Sequence, residues 1–232
     1  MSKRLLVYVE GQTEELFVNR ILRSHLAAHG VKVERPILAA TRREATAQRG
    51  GFTNWDAVAF DLRRLFADDP DPSLRFTTLL DVYALPSVTP GYEAPAEHRR
   101  PPEMVARMED AWQSHFDEPR FRPYLQRHEF EALVLGDYEA LKAIFPERIE
   151  PIDALARTTA GVPSREDVNG GPDTHPSARL EAAIPGYGLR KPDYGLFVLQ
   201  HADMGTVRAS CPRFDEWLRT WEEWGADNTL PD

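Results

Sequence analysis

The stretch Leu5-Leu6-Val7-Tyr8-Val9-Glu10-Gly11-Gln12-Thr13-Glu14-Glu15 decides how the chain is read. Its apolar run with alternating valines predicts a buried strand. An acid, a glycine and a helix start follow. Glu10 is therefore expected at the carboxyl end of a first strand, where open α/β sheets bind ligands. Gly11 is expected to allow a sharp turn or a close approach to the backbone. Thr13 is a candidate helix cap, and Glu14 and Glu15 suit the positive end of the helix. An acidic turn without further role is the competing reading.

Working outward, the helix runs over 13–29 on an i, i+4 stripe of Phe17/Ile21 and Val18/Leu22/Leu26, with Gly30 as the stop. A second strand is expected over 31–38. Residues 41–53, with Arg42, Arg43, Arg49 and the pair Gly50-Gly51, read as a polar loop. Residues 55–66 have helical spacing and stop at Asp68-Asp69-Pro70-Asp71-Pro72. The next buried strand is Leu74-Arg75-Phe76-Thr77-Thr78-Leu79-Leu80, and Asp81 follows it directly.

A proline-rich connection over 86–102 precedes a helix over 103–116. A strand is then expected to about Gln126, with a helix after it. In a helix Glu129 and Glu131 lie about 200° apart, so one of the two is expected to face inward. Short helices are expected over 137–145, 153–157 and 177–184, and 163–176 as loop. Residues 185–188 read as a turn. Residues 196–199 fit either a strand or a helix start. Helix is expected over 204–224 with a break at Cys211-Pro212, and the stripe Phe214, Trp217, Leu218, Trp221 reads as core. The fold class expected is α/β: a mostly parallel, Rossmann-like central sheet flanked by helices, with a helical C-terminal extension. Residues 1–145 form the expected core and 146–232 a loop-rich and helical part packed on it.

Composition bounds the function. The chain has 232 residues, is 42% hydrophobic and 28% charged, and carries a formal net charge of -9. These values place it among ordinary globular proteins. The charge argues against tight autonomous binding to nucleic acid, yet it fits an enzyme whose acids hold cations against a phosphate. The one cysteine, Cys211, excludes a disulfide framework and a cysteine zinc site. A reducing, cytoplasmic location without membrane segments is expected.

Acids at the carboxyl ends of neighbouring parallel strands stand about 5 Å apart. A divalent cation bound by oxygens at about 2.0–2.6 Å fits between such groups. Glu10 and Asp81 are the candidate catalytic and metal-binding acids, with Glu14, Glu129 and Glu131 as further metal candidates. Lys191 and Arg179 are candidates for offsetting transition-state charge. Gly11 and His128 join Arg179 as candidate substrate contacts. Each acid also has a structural reading as a helix cap or an exposed helix residue.

Val7-Tyr8-Val9-Glu10-Gly11-Gln12-Thr13-Glu14-Glu15, Leu79-Leu80-Asp81-Val82-Tyr83-Ala84-Leu85-Pro86 and Leu125-Gln126-Arg127-His128-Glu129-Phe130-Glu131-Ala132-Leu133 together resemble the domain-of-unknown-function 4276 family. Asp167-Val168-Asn169-Gly170-Gly171-Pro172 with Pro176-Ser177, and residues 207–218, extend the resemblance over nearly the whole chain. The family's fold is similar to the TOPRIM domains of OLD-type nucleases, topoisomerases and primases. The resemblance implies that Glu10 is a general acid/base or metal ligand. It implies that Asp81 opens an Asp-x-Asp motif whose other acid is replaced by Tyr83, with Glu129 or Glu131 supplying the missing oxygen. Lys191 matches a late lysine, and only Arg179 is kept of a Pro-Ser-Lys-Arg motif.

The activity implied is that of a Mg²⁺- or Mn²⁺-dependent nuclease or nicking enzyme in a prokaryotic phage-defence or DNA-processing system. The implied partners are DNA or RNA, an ATPase partner protein and a second copy in a homodimer. The alternative is a non-catalytic TOPRIM-shaped scaffold or regulator of an ATPase. A different phosphoryl-transfer enzyme is the third reading.

Overall fold

A computed structural model of the chain describes residues 2–39, 54–93, 102–168 and 173–227. The expected arginine loop with Arg42, Arg43, Arg49 and Gly50-Gly51, residues 94–101 of the proline-rich connection, and residues 169–172 lie outside the described residues. The described parts of 2–93, 102–125 and 221–227 form one compact unit, and 126–220 form a second.

In the first unit β1 (Lys3–Val9) runs parallel to β4 (Leu74–Asp81), in a register that sets Leu5 beside Arg75 and Val9 beside Leu79. On its other side β1 pairs in parallel with β2 (Val31–Val33) and β3 (Ile37–Leu38), while β4 pairs with β5 (Phe121–Arg122) and β6 (Leu125–Gln126). The strands are apolar on both faces because parallel strands are covered on both. Leu5, Val7, Val9, Leu79 and Leu80 have no exposed surface. The expected strand over 31–38 is broken in two at Glu34-Arg35-Pro36. Proline cannot donate to a ladder, so pairing with β1 lapses after Val33 and resumes at Ile37.

The helix after β1 is continuous from 12 to 27, as α1 (Gln12–Phe17), a π-helical turn (Val18–Leu22) and α2 (Arg23–Ala27). Gly30, at φ 82°, ends the run in the left-handed conformation that glycine takes without strain. Helices α3 (Trp55–Asp68) and α4 (Pro102–Phe116) cover the sheet with Trp55, Leu62, Phe66, Met108 and Trp112, all buried. Asn54 caps α3 through Asp56 and Ala57 N–H groups.

Two arginines hold the end of the sheet opposite to Glu10. Arg4 pairs with Glu34 at 2.7 Å, Asp69 at 3.0 Å and Asp71 at 3.1 Å. Arg120 donates to both carboxylate oxygens of Glu118 at 2.9 Å, to the Asp69 carbonyl at 2.6 Å and to the Phe66 carbonyl at 2.9 Å, with its guanidinium 5.1 Å from the Phe76 ring centre. This bidentate pairing holds the Glu118 carboxyl below its ordinary value despite partial burial.

The second unit is helical: α5 (Glu131–Val134), α6 (Tyr138–Ile144), α7 (Ile149–Thr159), α8 (Pro176–Ala183), α9 (Lys191–His201) and α10 (Met204–Ser210), followed by the start of α11 (Pro212–Ala226). The ambiguous segment 196–199 is thus helical, and a short 3-10 turn (Arg165–Asp167) interrupts the expected loop. Buried Glu166 accepts the Arg213 N–H at 2.9 Å and the Phe214 N–H at 3.2 Å, satisfying the free donors at the start of α11. Among the described residues no helix is long and apolar enough to cross a membrane.

The Arg120 clamp makes a specific prediction. Arg120→Ala removes several charge-assisted hydrogen bonds and should cost about 2–3 kcal/mol in urea unfolding. Glu118 has a depressed pKa, so its contribution is present above the ordinary glutamate value of 4.5 and is lost as pH falls through its lower folded value. The difference between wild type and variant should accordingly shrink below about pH 4. An equal difference at pH 3 and pH 7 would contradict the clamp.

Candidate functional site

The strand order β2-β1-β4-β5 places the reversal of winding between β1 and β4. The chain leaves β1 toward β2 and β3, then returns through α3 to β4 on the opposite side. In open α/β sheets the crevice outside the carboxyl ends of two such strands is the ordinary ligand site. Glu10 follows β1 there, and Asp81 ends β4. The Glu10 N–H donates to the Leu79 carbonyl at 3.3 Å, and the Asp81 N–H donates to Glu10 Oε2 at 3.0 Å. Both acids are partly buried, with Asp81 Oδ1 inside. Tyr83 stands on the 3-10 turn (Val82–Ala84) after β4, 44% exposed.

The neighbouring expectations need correction. The cap of α1 is Gly11, with Gln12 already helical, so Thr13 lies inside the first turn. Glu14 bends back and its Oε2 accepts the Gly11 N–H at 2.9 Å, the carboxylate half of a capping box. Gly11 has extended backbone angles, and a Cβ there would meet Glu14 Oε2 at 3.4 Å, an ordinary contact. No sharp turn requires the glycine.

The remaining candidates lie in the second unit. The chain between Gln126 and α5 is irregular, and His128 takes the uncommon φ of 65° with its side chain buried. Glu129 precedes the helix, so the 200° separation of two helical positions does not apply. Both acids are buried, Glu129 at 8% exposed and Glu131 at 4%, where one inward acid was expected.

Their surroundings differ. Glu129 accepts the Ser177 N–H at 2.9 Å and the Ser177 hydroxyl at 3.1 Å, and meets His175 Nδ1 at 3.0 Å. It is the anion at the N-terminus of α8, where free N–H groups favour negative charge. Burial pushes its carboxyl up, but the hydrogen bonds from His175 and Ser177 and the nearby charge of Lys191 bring it below the ordinary value. The same pairing raises His175.

Glu131 meets Lys191 Nζ at 3.3 Å. Burial pushes Glu131 upward, Lys191 opposes this, and the Glu129 charge adds to the rise; the net shift is up. Tyr187 lies close enough for both acids to raise its phenol, which burial already pushes well up. Its hydroxyl is buried without a hydrogen-bond partner among the described residues. Gly186, at φ 90°, opens the turn that presents Tyr187. Arg179 donates from Nε to the Thr174 carbonyl at 2.6 Å, fixing the entry to α8. Arg127 pairs with Asp167.

The candidates therefore fall into two groups. Glu10, Gly11, Glu14 and Asp81 gather at the sheet's switch point. His128, Glu129, Glu131, Arg179 and Lys191 belong to the helical unit, where Glu129, Glu131 and Lys191 interact. Sequence reasoning missed His175 and Tyr187. The Gly186-Tyr187-Gly188 turn was visible, but nothing local links that turn to an acid more than fifty residues earlier. Chemically, the first group offers hard oxygen donors. The second offers a buried carboxyl that holds a proton readily and a cation beside it.

The architecture is that of an α/β protein with paired acids at the switch point of a parallel sheet. The family model described as domain of unknown function (DUF4276) matches residues 9–222, and the chain belongs to this family. No curated protein and no solved structure matches the chain.

Lys191→Met leaves the Glu131 carboxylate buried without its cation and should lower stability by about 1–2 kcal/mol at pH 8. Glu131 already has a raised pKa and rises further without Lys191. Such a group's contribution is present at low pH and is lost as pH rises through the folded value. Thermal melts should show a smaller loss at pH 5 than at pH 8, because protonation of the carboxyl removes the buried charge that Lys191 offsets. Equal losses at the two pH values would exclude this coupling.

Proposed function

We propose that the chain is a Mg²⁺- or Mn²⁺-dependent phosphodiester-cleaving enzyme, an OLD-like TOPRIM nuclease or nickase that works with an ATPase partner in phage defence or DNA processing. The observation that carries this reading is the placement of Glu10 and Asp81 on adjacent parallel strands at the switch point. Carboxylate oxygens are the donors that hard cations prefer, and Mg²⁺ is commonly held by one or two carboxylates with water and phosphate oxygens completing its shell. A cation bound there would polarise a phosphate oxygen and acidify a water.

The chain's own residues supply the rest. Glu10 and Asp81 would hold such a cation, and through it would orient a substrate phosphate. In the helical unit, Glu131, whose carboxyl is pushed upward by burial, and Lys191 beside it form a second group with acid–base character. Glu129 is engaged by α8 and acts chiefly by fixing this group. A net charge of -9 accords with a subunit that meets nucleic acid alongside a partner.

Tyr83 favours a second reading, that of a non-catalytic scaffold of an ATPase. It stands where the resemblance expects a second acid, and the residue is exposed.

Incubation with supercoiled plasmid and with single-stranded RNA in Mn²⁺ separates the two. The nuclease reading expects nicking or cleavage that Glu10→Gln and Asp81→Asn each reduce by at least about 100-fold, the upper end of what even outer-shell partners of a metal cost. Circular dichroism should show the variants folded. Cleavage that survives both substitutions would refute the assignment. Silence of the folded wild type on both substrates, with and without its ATPase, would favour the scaffold.

A further inference from the structure

In the first unit, away from Glu10 and Asp81 in sequence, His25 lies on α2 and His29 in the turn that follows it, four residues on. Their rings are 5.2 Å apart between centres, inclined at 32°. Glu222 of α11 reaches this face from the other end of the chain. His25 Nε2 lies 2.6 Å from Glu222 Oε1, and His29 Nε2 lies 3.8 Å from the same oxygen. One donor atom from each of the three residues falls within 4.8 Å of the others.

We propose that His25, His29 and Glu222 form a binding site for a borderline transition-metal cation of the Zn²⁺, Co²⁺ or Ni²⁺ class. Ligands at about 2.0–2.1 Å in a tetrahedron stand about 3.4 Å from one another. The observed separations bracket that value, so small side-chain rotations suffice. Two imidazoles and one carboxylate favour these cations over Mg²⁺ or Ca²⁺, and a three-ligand set leaves a fourth position for water.

The backbone around the site is already fixed. A Cβ at Gly225 would lie 2.1 Å from the His29 carbonyl oxygen, so only glycine permits this approach of α11 to the turn after α2. The Lys3 ammonium donates to the Trp224 and Asp227 carbonyls, and Trp224 lies 5.7 Å beneath it and 5.6 Å from the Arg75 guanidinium. Glu222 is thereby positioned with its side chain 11% exposed, while the histidines, at 26% and 39%, leave the fourth position open to solvent. The bound cation clips the last turns of α11 to the helix that follows β1.

A hydrogen bond between His25 and Glu222 with no metal role is the competing reading, and titration decides between them. Calorimetry with ZnSO₄ on the full-length Glu10→Gln/Asp81→Asn protein, which removes the strand-end acids, should give one site. His25→Gln, His29→Gln and Glu222→Gln should each weaken it by at least about tenfold. Zn²⁺ should raise the melting temperature of the wild type and not of the folded variants. Co²⁺ should give the visible absorption of a tetrahedral complex, lost in the same variants. Zn²⁺ binding at the triad persists when Glu10 and Asp81 are replaced, so the inference stands apart from the nuclease reading. A folded wild type that binds no Zn²⁺, or triad variants that keep wild-type affinity, would overturn it.

Discussion

Parallel pairing of β1 with β4 is the constraint on which the candidate chemistry depends. It sets Val9 beside Leu79, so the residues that leave the two strands, Glu10 and Asp81, emerge together. The pairing is held by the fully buried Leu5, Val7, Val9, Leu79 and Leu80, each of which would cost about 2–5 kcal/mol on truncation to alanine. The acids themselves are only partly buried. They occupy the strand ends because the apolar runs stop there, and the second acid's backbone N–H is taken up by the first acid's carboxylate.

The helical unit solves a harder electrostatic problem. Burying a carboxylate costs several kcal/mol unless hydrogen bonds or a cation compensate. Glu129 is compensated by the open end of α8 and by His175, and it remains ionised. Glu131 has Lys191 at 3.3 Å and a backbone N–H to set against its burial, with Glu129 as a repulsive neighbour, and its carboxyl is pushed toward the protonated form. Two acids two residues apart thus acquire opposite characters. Unlike environments of this kind are what divide paired carboxylates between holding charge and holding a proton.

Much of the sheet could be read directly. Leu5–Val9 and Leu74–Leu80 are apolar runs closed by an acid, and period alone distinguishes them from the amphipathic helices at 55–68 and 102–116. The break at Pro36 is hidden in the sequence because the apolar pattern of 31–38 continues across the residue that lacks an N–H. The burial of both Glu129 and Glu131 escaped because it depends on an irregular turn at His128 and on Ser177, 48 residues further on. The triad of His25, His29 and Glu222 hides in the same way: the i, i+4 histidines are visible in the sequence, but their carboxylate is 197 residues away from His25. Local patterns expose elements and their ends. Contacts made across such distances appear only once the chain is folded.

The central claim is that the ends of β1 and β4 hold a divalent cation. Its most direct test is calorimetric titration of Mn²⁺ into the His25→Gln/His29→Gln protein, which silences the histidine site, followed by the same titration after adding Glu10→Ala or Asp81→Ala. The account predicts binding that either acid substitution abolishes while the fold persists. Binding untouched by both substitutions, or none by the folded parent, would contradict it.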